Sequence, residues 1–160
     1  NVPFDSVMLI KQSIMHNMIG CDMPDFIVQT IDDEVINAKE LRNKVVVINF
    51  WFKSCTPCIA ELPELNKLVD KYESENVVFL GFTRDSKSVV EKDFLPKYEF
   101  KYKLIPIDNE IIEKFAMYFG WPTNMVFAKN GKLKTIFAGG RAKDEVYNML
   151  KPIIDKCLTE

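Results

Sequence analysis

A three-layer α/β sandwich built on a mixed sheet is the fold that this 160-residue sequence predicts. Three observations carry that expectation. Continuous apolar runs rich in β-branched and aromatic residues alternate with stretches of helical periodicity. A strong hairpin signal lies in the last third of the chain. A helix with one apolar face then closes it.

The elements follow in order. Residues 4–19, FDSVMLIKQSIMHNMI, carry scattered apolar positions with Asp5 or Ser6 as a possible cap, which predicts a helical extension over residues 1–18. PDFIVQTIDDEVINAKEL reads as a strand, a polar turn at Asp32-Asp33, a second short strand and a helical turn near Ala38–Leu41. KVVVINFWF has the uninterrupted apolar character of a strand buried on both faces. Pro57 suits the first turn of a helix, and Ile59, Leu62, Leu65, Leu68, Val69 and Tyr72 keep helical spacing to about Glu75. NVVFLGFTRD is a second buried strand. A helix over Ser88–Lys97, a short strand over Lys103–Ile107 and a helix over Asn109–Tyr118, stopped by Gly120, come next. TNMVFAKNGKLKTIFAGG gives two strands turning at Asn130-Gly131, and Lys143–Leu158 is the closing helix.

Composition excludes several functions. A formal charge of −2, with no dense Lys/Arg cluster, gives nucleic-acid binding no electrostatic support. No apolar stretch approaches the roughly 20 residues of a membrane span. The chain opens at Asn1 without a charged-then-apolar leader, which reads as a mature form whose signal or anchor has been removed. Cys21, Cys55, Cys58 and Cys157 are too few and too unevenly spaced for a disulfide scaffold. With His16 the only histidine, they offer no recognisable zinc-ligand spacing, so no metal site is expected.

Chemistry concentrates at Cys55-Thr56-Pro57-Cys58, at a strand-to-helix junction. Free backbone N–H groups and the helix dipole favour an anion there, which is expected to lower the Cys55 pKa below the free value of about 8.5. The thiolate is the nucleophile of disulfide exchange. Cys58, one turn deeper, can attack the mixed disulfide that Cys55 forms with a partner. A buried structural pair is the other reading, but Cys-X-X-Cys at this junction in a βαβ pattern favours redox exchange.

Phe50-Trp51 before the thiols, the Cys55–Cys58 tetrapeptide and the later Trp121-Pro122-Thr123 together resemble the thioredoxin superfamily. IGCDMPDF, LRNKVVVINFWF and CTPCIAELPEL follow, in order, the pattern of the TlpA/ResA-like thiol–disulfide oxidoreductases of the bacterial cell envelope. The resemblance covers roughly residues 19–158, and residues 19–160 are taken as the thioredoxin-like domain. It implies a thioredoxin-like three-layer α/β/α sandwich with a central mixed sheet, an N-terminal β-hairpin extension and an α/β insert. It also implies roles: Cys55 as nucleophile, Cys58 as resolving thiol, Pro122 after a cis bond and packed against the pair. The Trp121 backbone would pair with an extended substrate segment. Glu61 matches an acid of the ResA-like subgroup, placed to accept the Cys58 proton; it is equally a first-turn glutamate favoured by the helix dipole.

The chain departs from the pattern it resembles at two places. Asn49 stands where thioredoxins proper have a buried Asp, leaving proton transfer to Glu61 or water. Ser54, preceded by Lys53, replaces a Trp that many members place before the first Cys. Lys53 would lower the Cys55 pKa if close to it; a solvated lysine is the preferred reading. Trp51 is expected in the core beside the thiols. Trp121 is expected to contact substrate or simply to pack. Arg84-Asp85 reads as a solvated loop pair rather than a salt bridge, and Cys21 and Cys157 as free buried thiols or a disulfide.

The expected function is a thiol–disulfide oxidoreductase. It would act as a reductase of protein disulfides, with no cofactor beyond the Cys55–Cys58 couple. Its partners would be a protein carrying a disulfide or thiol and an upstream thiol electron donor, with a membrane protein as one candidate; its expected place is the bacterial periplasm or cell envelope. Peroxidase chemistry of the peroxiredoxin type needs Pro and Thr or Ser at seven and three residues before the reactive Cys. Ile48 and Phe52 occupy those positions, which rejects it. The non-enzymatic alternative is a copper chaperone or binding module on the same scaffold.

Overall fold

The computed structural model describes residues 3–160. Its centre is a five-stranded sheet in the order β5-β4-β3-β6-β7. The strands are β3 (Val45–Trp51), β4 (Val77–Thr83), β5 (Lys103–Pro106), β6 (Thr123–Phe127) and β7 (Leu133–Ala138). β3, β4 and β5 run parallel, while β6 pairs antiparallel with both β3 and β7. This is the mixed sheet of the thioredoxin-like fold. A two-stranded hairpin, β1 (Ile27–Gln29) and β2 (Val35–Asn37), precedes it and leads into a 3₁₀ turn at Ala38–Leu41.

Alternation along β3 divides the core in two, because successive side chains point to opposite faces. Val45, Val47 and Trp51 join one apolar cluster with α2 (Thr56–Lys71) and α5 (Glu145–Thr159). Val46, Ile48 and Phe50 join the other, with Val28 and Ile36 of the hairpin, Phe26 just before it and Ile111 of α4 (Asn109–Lys114). Every residue of β3 is buried, as its unbroken apolar run requires. Asn49 has the parity of the α2 face, so its amide points toward that helix.

Other boundaries differ from expectation for local reasons. α2 stops at Lys71 because Tyr72 caps it, donating its N–H to Leu68 and Val69 and its hydroxyl to Asp155. The expected helix over Ser88–Lys97 is a short α3 (Lys87–Val89), capped by Ser86, that widens into a π turn at Val90–Phe94. That widening packs Phe94 on Trp51, with ring centroids 4.3 Å apart. α4 ends at Lys114, just before Ala116 adopts a left-handed conformation at φ 50°. α5 starts at Glu145, after Asp144 at φ 64°. The first helix, α1 (Phe4–Met18), lies along β7 and buries none of its residues. Cys21 is exposed rather than buried, and Cys157 is buried and free, so the two are not joined.

Candidate active site

Cys55 and Cys58 form a disulfide, with S–S at 2.00 Å and Cα atoms 5.2 Å apart. The backbone delivers them there in two steps. β3 ends at Trp51, and a tight turn closed by Cys55 N–H on the Phe52 carbonyl (3.1 Å) brings Cys55 to the cap position of α2. Its Sγ accepts the Cys58 N–H at 3.3 Å, so the sulfur already takes one of the orphan donors of the helix N-terminus. Thr56 and Pro57 are exposed on the rim, while Cys55 is 5% and Cys58 2% exposed. Trp51 belongs to the same apolar cluster as both sulfurs, and its Nε1 makes no hydrogen bond.

The Trp121–Pro122 peptide bond is cis. Thr123, fully buried, donates its hydroxyl to the Gly120 carbonyl at 2.8 Å and so fixes the turn into β6. The Pro122 carbonyl accepts from Gly139. Among the described residues neither the N–H nor the C=O of Trp121 takes part in a backbone hydrogen bond, which leaves both open to an added strand. Its ring stands edge-on to Phe50 (6.2 Å) and Phe52 (5.8 Å).

Glu61 lies one turn beyond Cys58 on the sheet-facing side of α2 and is 2% exposed. Its Oε2 accepts from Asn124 Nδ2 at 3.2 Å and, at a longer 3.5 Å, from Asn49 Nδ2. The two amides are themselves joined, Asn49 Nδ2 to Asn124 Oδ1 at 2.9 Å, as their pairing across β3 and β6 demands. Oε1 is buried with no partner. Burial pushes the Glu61 carboxyl up to about 7, with Asn124, Arg141 and Asn49 opposing the rise. Glu61 also lines a cavity of about 270 Å³, together with Ala60, Glu64, Arg141, Lys143 and Asp144. Glu64, its buried neighbour, is held by the backbone N–H groups of Asp144 and Tyr147 at the start of α5.

The expected site residues thus fall into one neighbourhood of the fold, where β3 and β6 meet the start of α2, and sequence reasoning missed several of their supports. Asn124 carried no signal by itself; only its pairing opposite Asn49 reveals it. Gly140 is needed because a Cβ there would stand 2.6 Å from Pro57 Cβ. Asp85 is not solvated: its carboxylate accepts the Lys53 N–H at 2.5 Å and shapes the turn before Cys55. Lys53 is likewise engaged, its ammonium 2.8 Å from Asp93, which holds the Asp93 carboxyl below its ordinary value. Arg84 lies over the Phe52 ring at 4.6 Å and near that of Trp121 at 5.9 Å.

A dithiol couple at a helix N-terminus beside a cis-proline defines a redox protein of the thioredoxin-like class, and the chain belongs to the AhpC/TSA family, which it matches over residues 19–136. It is 30% identical over 136 residues to the thiol-disulfide oxidoreductase ResA of Bacillus thuringiensis, across 84% of this chain and 78% of the relative. It is 29% identical over 133 residues to the thioredoxin-like protein YneN of Bacillus subtilis, across 82% of this chain and 78% of that one. A putative thiol:disulfide interchange protein DsbE from Chlorobium tepidum shares the fold, with a TM-score of 0.76, 22% identity and coverage of 88% of this chain and 97% of its own. The chain is a thiol–disulfide oxidoreductase.

Proposed function

We propose that the protein is a reductase of protein disulfides in the bacterial cell envelope, with the Cys55–Cys58 couple as its only redox group and an upstream thiol donor restoring the dithiol. The observation that carries this reading is the buried Glu61 carboxyl, poised near 7 one turn from Cys58. Cys55 thiolate attacks one sulfur of the substrate disulfide. A Cys55–substrate disulfide forms, and the other substrate sulfur leaves as a thiolate that takes a proton. Cys58 then passes its proton to Glu61 and attacks Cys55 Sγ. The Cys55–Cys58 disulfide forms, the second substrate sulfur leaves and is protonated, and two electrons have passed to the substrate. The Trp121 backbone would hold the substrate segment extended during both displacements. The envelope is where disulfides persist to be reduced.

Thiol trapping across defined redox buffers tests this. A potential near thioredoxin's, roughly −270 mV, supports a reductase, whereas one near −120 mV identifies an oxidant that introduces disulfides. A couple that never interconverts, together with tight binding of one equivalent of copper(I), would replace the enzyme by a binding module.

A further inference from the structure

We propose that the rim of this site receives an acidic polypeptide: an extended partner segment with carboxylates two positions from its reactive cysteine, met by Arg84 on one side and Arg141 on the other. The proposal rests on the dithiol reading above and names the partner chemistry of the same site. The chain has three arginines among its 21 basic residues, and two of them flank the cysteine pair. Arg84 follows the last residue of β4, Thr83, which pairs with Trp51 at the end of β3. Its guanidinium is held against Phe52, whose carbonyl closes the Cys55 turn, and against Trp121 of the cis bond. Arg141 follows Gly140, which packs on Pro57 between the cysteines, and its guanidinium lies 5.3 Å from the Phe137 ring.

Both side chains are exposed, and among the described residues neither is within ion-pair distance of a carboxylate. The exposed acids nearby are already committed, and the buried Glu61, which feels the charge of Arg141 across their shared cavity, forms no ion pair with it. Asp85 is held by Lys53 N–H and Thr83, Asp93 by the Lys53 ammonium, Asp144 by Lys67, and Glu145 by the Ala142 N–H. A guanidinium resting on an aromatic face keeps its edge N–H donors free and in a fixed fork, the geometry that binds a carboxylate through two bonds. A lysine would not be positioned in this way, and the one lysine in the turn, Lys53, is already paired. An extended segment laid along Trp121 presents every second side chain to the same side. Acidic residues two positions before and after the substrate cysteine would therefore meet the two guanidinium groups while the sulfur faces Cys55.

The full-length reduced protein would be mixed with two synthetic peptides, each closed by one intramolecular disulfide. The two differ only in Glu or Lys two positions from the cysteines, and oxidation of the Cys55–Cys58 dithiol is followed. Each arginine–carboxylate contact at a rim is worth about two- to fivefold, so the Glu peptide should react roughly tenfold faster at low ionic strength. The preference should shrink in high salt. It should fall several-fold in R84Q and in R141Q, vanish in the double variant, and persist in R42Q, which removes the same charge at the far end of β3. Equal rates with the two peptides, or a preference that survives the double substitution, would overturn the arginine assignment alone. Reaction with neither peptide would overturn the dithiol reading and this one with it.

Discussion

At the scale of single residues, Glu61 dominates the electrostatics. Its folded pKa, about 7, is above the ordinary 4.5, so the fold favours its protonated form. Its contribution to stability is therefore fully present below pH 4.5 and is lost as pH rises toward 7. The shift corresponds to roughly 3 kcal/mol. Chemical denaturation of E61Q should show this slope flattened between pH 4.5 and 7; an unchanged slope would place the titration elsewhere. In the same variant, resolution of the mixed disulfide by Cys58 should slow by about 10²-fold or more while the first attack by Cys55 is spared. Stopped-flow rates with a trapped intermediate separate the two steps. Asn124 donates to Glu61 Oε2 and opposes the rise, so N124A should move the pH midpoint of resolution upward. The pairing of Cys55 with Cys58 and the cis bond before Pro122 were legible in the sequence because the spacing is local or the motif specific. Asn124 and Arg84 were not, since their meaning comes from partners on neighbouring strands.

Among the elements, the start of α2 is supported from outside itself. The loop entering α5 packs on Pro57 through Gly140, and G140A places a Cβ at 2.6 Å from the proline ring. Overpacking of this kind costs about 1–3 kcal/mol. G140A should lower the unfolding midpoint in the oxidised protein and alter the exchange rate of the disulfide, both measurable on one sample. The strands were read well because an uninterrupted apolar run has few other structures open to it. The helices over 88–97 and 109–118 were overextended. In the first, the pull of Phe94 toward Trp51 opened a π turn, a tertiary effect that periodicity does not encode. In the second, Phe115 and Met117 are buried past the helix end, so their apolar spacing continues where the helix does not.

Over the whole molecule, the layer order was legible and the fate of the remaining thiols was not. Cys21 and Cys157 carry no local signal that tells them apart, yet only Cys157 is buried, and burial raises its pKa from the ordinary value. Alkylation of the native oxidised protein should therefore label Cys21 at once and Cys157 only after unfolding. Simultaneous protection of both would contradict their separate placement.

The parity of β3 has a consequence for how this chain can vary. Odd positions serve the catalytic side of the sheet and even positions the phenylalanine-rich side, with Asn49 and Asn124 facing each other across the strand pair. Deleting or inserting one residue between Val45 and Trp51 would turn every later side chain over. The amide would enter the phenylalanine cluster, Phe50 would meet Glu61, and Cys55 would leave its place at the helix. One apolar side chain can stand in for another along the strand, but a change of one residue in its length would misplace the whole site.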